Sequence, residues 1–176
     1  MALETATIGG GRFWDLAAVF QHLRGVRSVI CGYAGGHTDH PCYEAVCSGE
    51  TGHAEVVRVE FENEVLPYAS LLEVFFKVHD PYSSATVGGQ LASPLRSVIF
   101  FHTQEQRQVA QEVIKRIGRG RNFVIMTELR AHMPFFAAES VHQNFYKNHK
   151  EDTYCQEFIL PKIIRSRDMF KRSMAA

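Results

Sequence analysis

The stretch TATIGGGRFWDLAAVFQHLRGVRSVICGY, residues 5–33, contains the signals for a strand, a helix and a second strand in succession. Thr5–Phe13 is apolar and rich in glycine, which predicts a strand that leads into a loop. From Trp14 to Leu23 apolar residues recur at helical spacing, and Gly25 follows where glycine often ends a helix. Val26–Tyr33 is apolar and β-branched, as buried strands are. The stretch therefore predicts a β-α-β unit with a glycine-rich first junction.

The alternation of strands and helices continues along the chain. Glu55–Phe61 alternates apolar with charged residues, which indicates a half-buried strand. The other predicted elements are a helix at Ala69–Val78, a strand at Arg96–Phe101, a helix at Gln104–Ile117, a strand at Phe123–Leu129 and a last helix at Ser140–Lys150. This order predicts the α/β (α+β) class, as a two-layer sandwich in one domain over 1–176. We expect a ferredoxin-like βαββαβ core followed by a C-terminal αβ extension.

Composition and charge exclude several classes of function. With 45% hydrophobic and 22% charged residues, the 176-residue chain has the composition of a globular protein. Its formal net charge is zero and no basic run stands out, so we expect neither nucleic acid nor a membrane as partner. No stretch approaches the roughly 20 apolar residues of a membrane helix, and the N-terminal residues lack the features of a signal peptide. We therefore expect a cytoplasmic protein with reduced cysteines.

The glycine-rich junction, GGGRFWD at 9–15, is the first candidate site. Glycines let the backbone approach closely there, and the first free N–H groups of the helix make a partially positive pocket. A thiol at such a helix start would have a depressed pKa and would be a reactive nucleophile. This chain carries Arg12 at that point instead.

The stretch GGRFWD resembles the GCFW signature of A-type peptide-methionine sulfoxide reductases, with Arg12 in place of the cysteine. The resemblance covers nearly the whole chain, and its longest block is PCYEAVCSGETGHAE at 41–55. The other matching stretches are GYAGG at 32–36, LLEVFFKVHDP at 71–81, LRSVIF at 95–100 and AAESVHQNF at 137–145. The resemblance implies a small-molecule or peptide ligand in an aromatic pocket. We expect no cofactor and no metal.

The resemblance also implies roles for individual residues. In the family a cysteine thiolate attacks the sulfoxide sulfur and forms a sulfenic acid, which a second cysteine or an external thiol resolves. Phe13 and Trp14 match the aromatic wall around the substrate methyl group. Glu55 matches the acid that protonates the sulfoxide oxygen, and Tyr43 matches a tyrosine that hydrogen-bonds it. Cys155 resembles a C-terminal recycling cysteine.

Three positions depart from the family pattern. Arg12 stands at the place of the nucleophile, and a guanidinium stays protonated in proteins and cannot attack a sulfoxide. Gln90 and Leu95 stand where the family usually has an Asp and a Tyr. Gln90 and His142 are candidate ligand-binding residues, and His142 is alternatively a residue that braces a loop. Three changes in one pocket indicate a lineage released from, or redirected away from, the parent reaction.

The charge of Arg12 requires compensation. A cation at the positive end of a helix is unfavourable by about 0.3–1 kcal/mol unless it is offset. We predict an ion pair between Arg12 and Glu55; the alternative is an Arg12 side chain that extends into solvent. Such a pair would favour ionised Glu55 and remove the general acid of the parent reaction. Arg12 could equally hold a carboxylate ligand through two parallel hydrogen bonds.

The four cysteines have different predicted roles. Cys42 is a candidate displaced nucleophile, although a buried inert thiol is the commoner case. Cys47 belongs to the family block without a required role and is predicted to be structural, and Cys31 is predicted to lie in the core. Cys155, without a partner nucleophile, is a relic or a free redox-sensitive thiol. No standard metal-ligand spacing is present around these residues.

Three functions remain open from the sequence. The first is a non-reducing protein that binds methionine, its sulfoxide or a similar thioether in the aromatic pocket. The second is a repurposed enzyme in which a carboxylate, a phenol and a guanidinium catalyse a reaction without thiol redox chemistry. The third is a methionine sulfoxide reductase that uses a displaced cysteine, Cys42 or Cys155.

Overall fold

The computed structural model describes residues 3–82, 93–120, 122 and 124–173, without the side chains of 170–173. The strands are β1 (Leu3–Gly9), β2 (Val26–Ala34), β3 (Ala54–Glu62), β4 (Val98–Phe101), β5 (Glu128–Ala131) and β6 (Phe135–Ala137). The α-helices are α1 (Phe13–Gln21), α2 (Tyr43–Cys47), α3 (Tyr68–Val78), α4 (Gln104–Gly118), α5 (Phe145–Asn148) and α6 (Leu160–Ser173). A 3₁₀ turn at Ser140–His142 precedes α5, and a π-helical turn at Cys155–Ile159 precedes α6.

The described strands form one six-stranded sheet in the order β5-β4-β1-β3-β2-β6. β1 pairs antiparallel with β3 and β4, and β2 pairs antiparallel with β3 and β6. β4 and β5 are parallel, and α4 connects them. Along the chain, β1, α1, β2, β3, α3 and β4 follow one another in the predicted βαββαβ order, with the short α2 between β2 and β3. The helix α4 and the strand β5 form the predicted αβ extension. The predicted α/β class is confirmed.

Alternation along the strands gives the sheet two apolar faces. In β3, Val57, Val59 and Phe61 belong to the main core cluster, which also contains the apolar residues of α1 and α3. Val56 belongs to a smaller cluster on the opposite face. Successive side chains of a strand point to opposite faces, so Glu55 points to the same face as Val57. That is the face on which α1 packs.

The C-terminal half differs from its prediction in two elements. The predicted single helix at Ser140–Lys150 is wrong: the chain forms only a 3₁₀ turn and the four-residue α5 there, because Asn144 between them has a left-handed φ of 54°. The predicted strand at Phe123–Leu129 is displaced, since β5 begins at Glu128 and 124–127 contain no strand.

Three further elements were not predicted. α2 lies between the predicted strands Val26–Tyr33 and Glu55–Phe61, where no helix was predicted, and β6 has only three residues, too few to show a period. α6 was missed because Pro161 usually breaks a helix; here α6 continues without a break from the π-helical turn, and Pro161 is its second residue. Within the part of the chain described, no helix is long and apolar enough to cross a bilayer.

Candidate active site

Arg12 lies in the glycine-rich turn between β1 and α1. Its backbone is extended, with φ −68° and ψ 131°, and α1 begins at the next residue. A Cβ added at Gly10 would lie 2.5 Å from the His79 ring, and one at Gly9 would lie 2.5 Å from the Glu55 carbonyl oxygen. Glycine is therefore required for the turn to approach β3 and the end of α3 this closely. The close approach brings the start of α1 next to Glu55.

The Arg12 guanidinium contacts three side chains through one nitrogen. Nη1 lies 3.0 Å from Glu55 Oε1, 3.0 Å from Tyr43 Oη and 3.9 Å from Cys47 Sγ. The predicted ion pair is confirmed, and the alternative of Arg12 extended into solvent is wrong, although 37% of its side chain stays exposed. Burial lowers the pKa of Arg12, but Glu55 and Tyr43 more than offset this, so the net pKa is raised. Arg12 is therefore a permanent cation in the site.

Glu55 is fully buried and accepts two hydrogen bonds. Oε1 accepts from Arg12, and Oε2 accepts from the backbone N–H of Phe13 at 3.0 Å. Burial raises the pKa of Glu55, while the Phe13 N–H and Arg12 lower it without cancelling the effect of burial. The expectation that pairing would favour ionised Glu55 has the correct sign for Arg12 alone. Desolvation of the carboxylate is nevertheless the largest contribution, so the net pKa of Glu55 is raised.

Five aromatic rings pack together around this ion pair: Phe13, Trp14, Tyr43, His142 and Phe145. The ring centroids of Tyr43 and His142 lie 4.3 Å apart, and Trp14 stacks on Phe145 at 4.9 Å. Phe13 lies 5.5 Å from Trp14 and 5.8 Å from His142. The structure thus brings together four rings that the sequence singled out, and Phe145 adds a fifth that it did not.

Glu139 connects two tyrosines of the site and was not predicted. Its Oε2 accepts from Tyr33 Oη at 2.7 Å, and its Oε1 accepts from the backbone N–H of Tyr43 at 2.8 Å. Burial acts to raise the pKa of Glu139, but hydrogen bonds from its own N–H, Tyr33 and Tyr43 hold the pKa below its ordinary value. The ionised carboxylate therefore holds the backbone of Tyr43, the first residue of α2, and so positions the Tyr43 ring beside Arg12. Its place in the motif AAESVHQNF was the signal available in the sequence.

Tyr43 completes the polar part of the site as a neutral phenol. Burial and a hydrogen bond with Cys47 raise the pKa of Tyr43 to about 12. The phenol oxygen also accepts from Arg12 at 3.0 Å. The site thus combines a cation, a buried carboxyl group and a phenol against a wall of aromatic rings.

Comparison with known proteins gives these residues a family context. The family model for peptide methionine sulfoxide reductase matches residues 4–174. The chain belongs to this family. The peptide methionine sulfoxide reductase MsrA of Thermus thermophilus is 44% identical over 171 residues, 97% of each chain. The MsrA of Sulfolobus acidocaldarius is 45% identical over 161 residues, 92% of each chain.

Two solved structures share the fold. Methionine sulfoxide reductase A of Corynebacterium diphtheriae matches with a TM-score of 0.69 at 27% identity, over 84% of this chain and 76% of that one. Reduced Mxr1 of Saccharomyces cerevisiae matches with a TM-score of 0.72 at 26% identity, over 87% of this chain and 89% of that one. The family membership predicted from the motifs is confirmed.

Two of the four cysteines of this peptide methionine sulfoxide reductase family member, Cys42 and Cys47, differ from their predicted places. Cys47, predicted to be structural, is exposed beside Arg12, and Cys42 is exposed rather than buried. Cys155 is fully buried, and burial together with two nearby aspartates raises its pKa. Cys31 lies in the core as predicted, where burial raises its pKa to about 12.

Of the two further departures from the family pattern, Gln90 lies outside the described residues. Leu95 is described and lies next to the site. Its carbonyl oxygen accepts from the Gly11 N–H at 3.0 Å, and the Pro94 carbonyl oxygen accepts from the Glu55 N–H at 2.8 Å. The 94–95 segment therefore supports the Arg12 turn and β3 through its backbone, whatever side chain residue 95 carries.

Proposed function

We propose that this peptide methionine sulfoxide reductase family member binds a small ligand at Arg12 and does not act as a thiol-dependent reductase. The observation that carries the proposal is the 3.0 Å contact of Arg12 Nη1 with both Glu55 Oε1 and Tyr43 Oη. The family resemblance assigns these two groups to the sulfoxide oxygen. The side chain at the position of the nucleophile therefore lies against both groups that the resemblance assigns to the sulfoxide oxygen.

Arg12 also changes the chemistry of the site. A protonated guanidinium has no electron pair with which to attack the sulfoxide sulfur. It remains a cation here, because the neighbouring Glu55 and Tyr43 raise its pKa. Binding a ligand through a fixed positive charge is the use of Arg12 that its contacts support.

The free part of the site suits a ligand that combines an anion with a thioether or methyl group. Arg12 Nη2 and Nε make no hydrogen bond to the described residues, and the side chain is partly exposed. This edge of a guanidinium matches a carboxylate through two parallel hydrogen bonds. The partly exposed Trp14 ring, whose centroid lies 5.6 Å from the Arg12 guanidinium carbon, offers aromatic surface next to it, and the fully buried Phe13 packs against Trp14. Binding is the step shared by a simple binding protein and by a non-redox enzyme that uses Arg12, Glu55 and Tyr43 to polarise its ligand.

The test compares the native protein with Arg12→Cys in dithiothreitol-driven reduction of a peptide methionine-S-sulfoxide. We expect no turnover by the native protein. We expect turnover by the variant, because the substitution frees Glu55 and Tyr43 and supplies a thiol at the helix start. Turnover by the native protein would refute the proposal.

Calorimetry with L-methionine and L-methionine-S-sulfoxide tests the binding step directly. We expect binding of at least one of them by the native protein and loss of that binding in Arg12→Ala. Absence of binding to both ligands, or binding that Arg12→Ala leaves unchanged, would contradict a site built on Arg12.

A second candidate function is sulfoxide reduction through a displaced cysteine. Cys47 is a better candidate than the predicted Cys42 or Cys155, because Cys155 is buried and the Sγ of the exposed Cys47 lies 3.9 Å from Arg12 Nη1. Should the native protein turn over, Cys47→Ser would abolish the activity under this hypothesis. Cys31→Ser, in the core, is the matched control.

A further inference from the structure

A groove of 540 Å³ lies away from Arg12, between the end of α1, the start of β2 and α5. None of the residues that form the Arg12 site lines it. Its volume falls in the range of roughly 300–1,000 Å³ that small-molecule pockets occupy. The groove is therefore large enough to hold a ligand of its own.

The lining of the groove is positively charged. Arg27, Lys147 and Lys150 line it, and its lining includes no Asp or Glu. Arg27 is paired with Glu62, which lies outside the groove. Lys147 and Lys150 have no acidic partner among the described residues. The net charge of the chain is zero, yet Lys147 and Lys150 both line this groove without an ion-pair partner among the described residues.

A neutral hydrogen-bond donor lies beside these cations. Gln21 Nε2 donates to Asn144 Oδ1 at 3.0 Å, and both residues line the groove. Because this bond uses the oxygen of the Asn144 amide, its NH₂ group remains available to a ligand. Two lysines and an amide donor together suit an acceptor with several oxygens.

Part of the remaining lining is apolar, beside the polar residues His22 and Ser28. Val26, Val29 and Tyr146 contribute side chains to the groove. A single inorganic phosphate would cover only part of this surface. An organic group attached to the phosphate would cover the rest and gain from its burial.

We propose that the groove binds a small organic phosphate. The phosphate groups lie at Lys147 and Lys150, and the organic part lies against Tyr146 and the two valines. Lysine ammonium groups bind phosphate as flexible point charges, which suits two lysines at the rim of a cavity. The inference does not depend on what binds at Arg12.

The test is calorimetric titration of the native protein with pyrophosphate and with ADP, at low salt and without divalent metal. We expect both probes to bind, with ADP the tighter because only ADP covers the apolar lining. Reversing the charge with Lys147→Glu and Lys150→Glu together should weaken ADP binding by at least about tenfold, since like charges then face the phosphates.

The control is Lys115→Glu with Arg119→Glu, a reversal of two exposed cations on and just after α4. It should leave the ADP affinity within about twofold, since these cations lie outside the groove and act only through screened long-range charge. Circular dichroism establishes that both double variants are folded. Lack of binding by the native protein, or equal weakening in the two double variants, would overturn the site. An ADP affinity no higher than that of pyrophosphate would overturn the assignment of an organic phosphate.

Discussion

The backbone N–H of Phe13 donates to Glu55 Oε2 at 3.0 Å, so a carboxyl group from β3 caps the first turn of α1. The residue at the N-cap itself, Arg12, makes no side-chain cap. A helix start favours negative charge and disfavours a cation. Glu55 supplies the negative charge, and its other oxygen pairs with Arg12. The buried Glu55 therefore accepts a hydrogen bond from the free Phe13 N–H of α1 and also pairs with the Arg12 cation beside it.

Replacing Glu55 by alanine should destabilise the fold. The Phe13 N–H and the Arg12 guanidinium would both lose their acceptor, which costs about 1–3 kcal/mol for a buried group. Glu55→Gln should cost less, because the amide oxygen can still accept one of the two hydrogen bonds. Urea denaturation at neutral pH measures both free energies of unfolding. Glu60→Ala, at an exposed position of the same strand, is the control, and an equal loss there would contradict the capping role.

Replacing Arg12 by methionine should make stability more dependent on pH. Burial already raises the pKa of folded Glu55, and loss of the Arg12 charge raises it further. A raised folded-state pKa gives stability that is fully present below the unfolded-state pKa and is lost as pH rises through the folded-state pKa. The difference in unfolding free energy between native protein and variant should therefore be smallest near about pH 4 and grow toward neutral pH. Urea denaturation across that interval measures it, and a difference that shrinks with rising pH would contradict the assignment.

Glu139→Gln should show the opposite dependence. Hydrogen bonds hold the pKa of folded Glu139 below its ordinary value, so its stabilising effect is present above the unfolded-state pKa and is lost as pH falls through the folded-state pKa. The native protein should exceed the variant in stability at neutral pH by less than about 1 kcal/mol, because the Glu139 side chain is 40% exposed. Thermal unfolding across the acid range measures the difference, which should vanish at low pH. A difference that persists unchanged into acid would contradict the role of the charge.

The first β-α-β unit could be predicted from sequence because its periodicity is local, whereas much of the site could not. The Arg12–Glu55 pair spans 43 residues and was predicted only through the family resemblance. Glu139 reaches Tyr33 and Tyr43 across 106 and 96 residues, and nothing near it in the sequence marks those partners. Cys47 joins the site through its contacts with Arg12 and Tyr43, and its place in the family block did not mark it as a site residue.

The four thiols should divide into two classes of reactivity. Cys42 and Cys47 are exposed, while Cys31 and Cys155 are buried. We expect iodoacetamide to alkylate the first two in the native protein and the other two only in denaturant. Peptide mapping by mass spectrometry distinguishes the sites. Alkylation of native Cys155 as fast as that of Cys47 would contradict its burial and reopen Cys155 as a redox residue.

Gly10→Ala should destabilise the turn that carries Arg12. The added Cβ would lie 2.5 Å from the His79 ring. That ring is held at both nitrogens, by the Phe75 carbonyl oxygen at 2.6 Å and by Ser97 Oγ at 2.7 Å, so it cannot move aside cheaply. Burial lowers the pKa of His79 to about 4, so the ring is neutral and gains nothing from a shift toward solvent. We expect a loss of about 1–3 kcal/mol, as for other overpacked sites, measured by urea denaturation.

Gly118→Ala is the matched control for this clash. Gly118 is the last residue of α4, and its added Cβ would meet only Ile125 Cδ1, at an ordinary 3.7 Å. Alanine is favoured over glycine in a helix by up to about 1 kcal/mol, so this variant should be neutral or slightly more stable. If Gly10→Ala were equally well tolerated, close contact between the turn and α3 would not be what holds Arg12 against Glu55. The ion pair itself would then have to position the start of α1, and Arg12→Met should displace the Trp14 ring, which near-ultraviolet circular dichroism would detect.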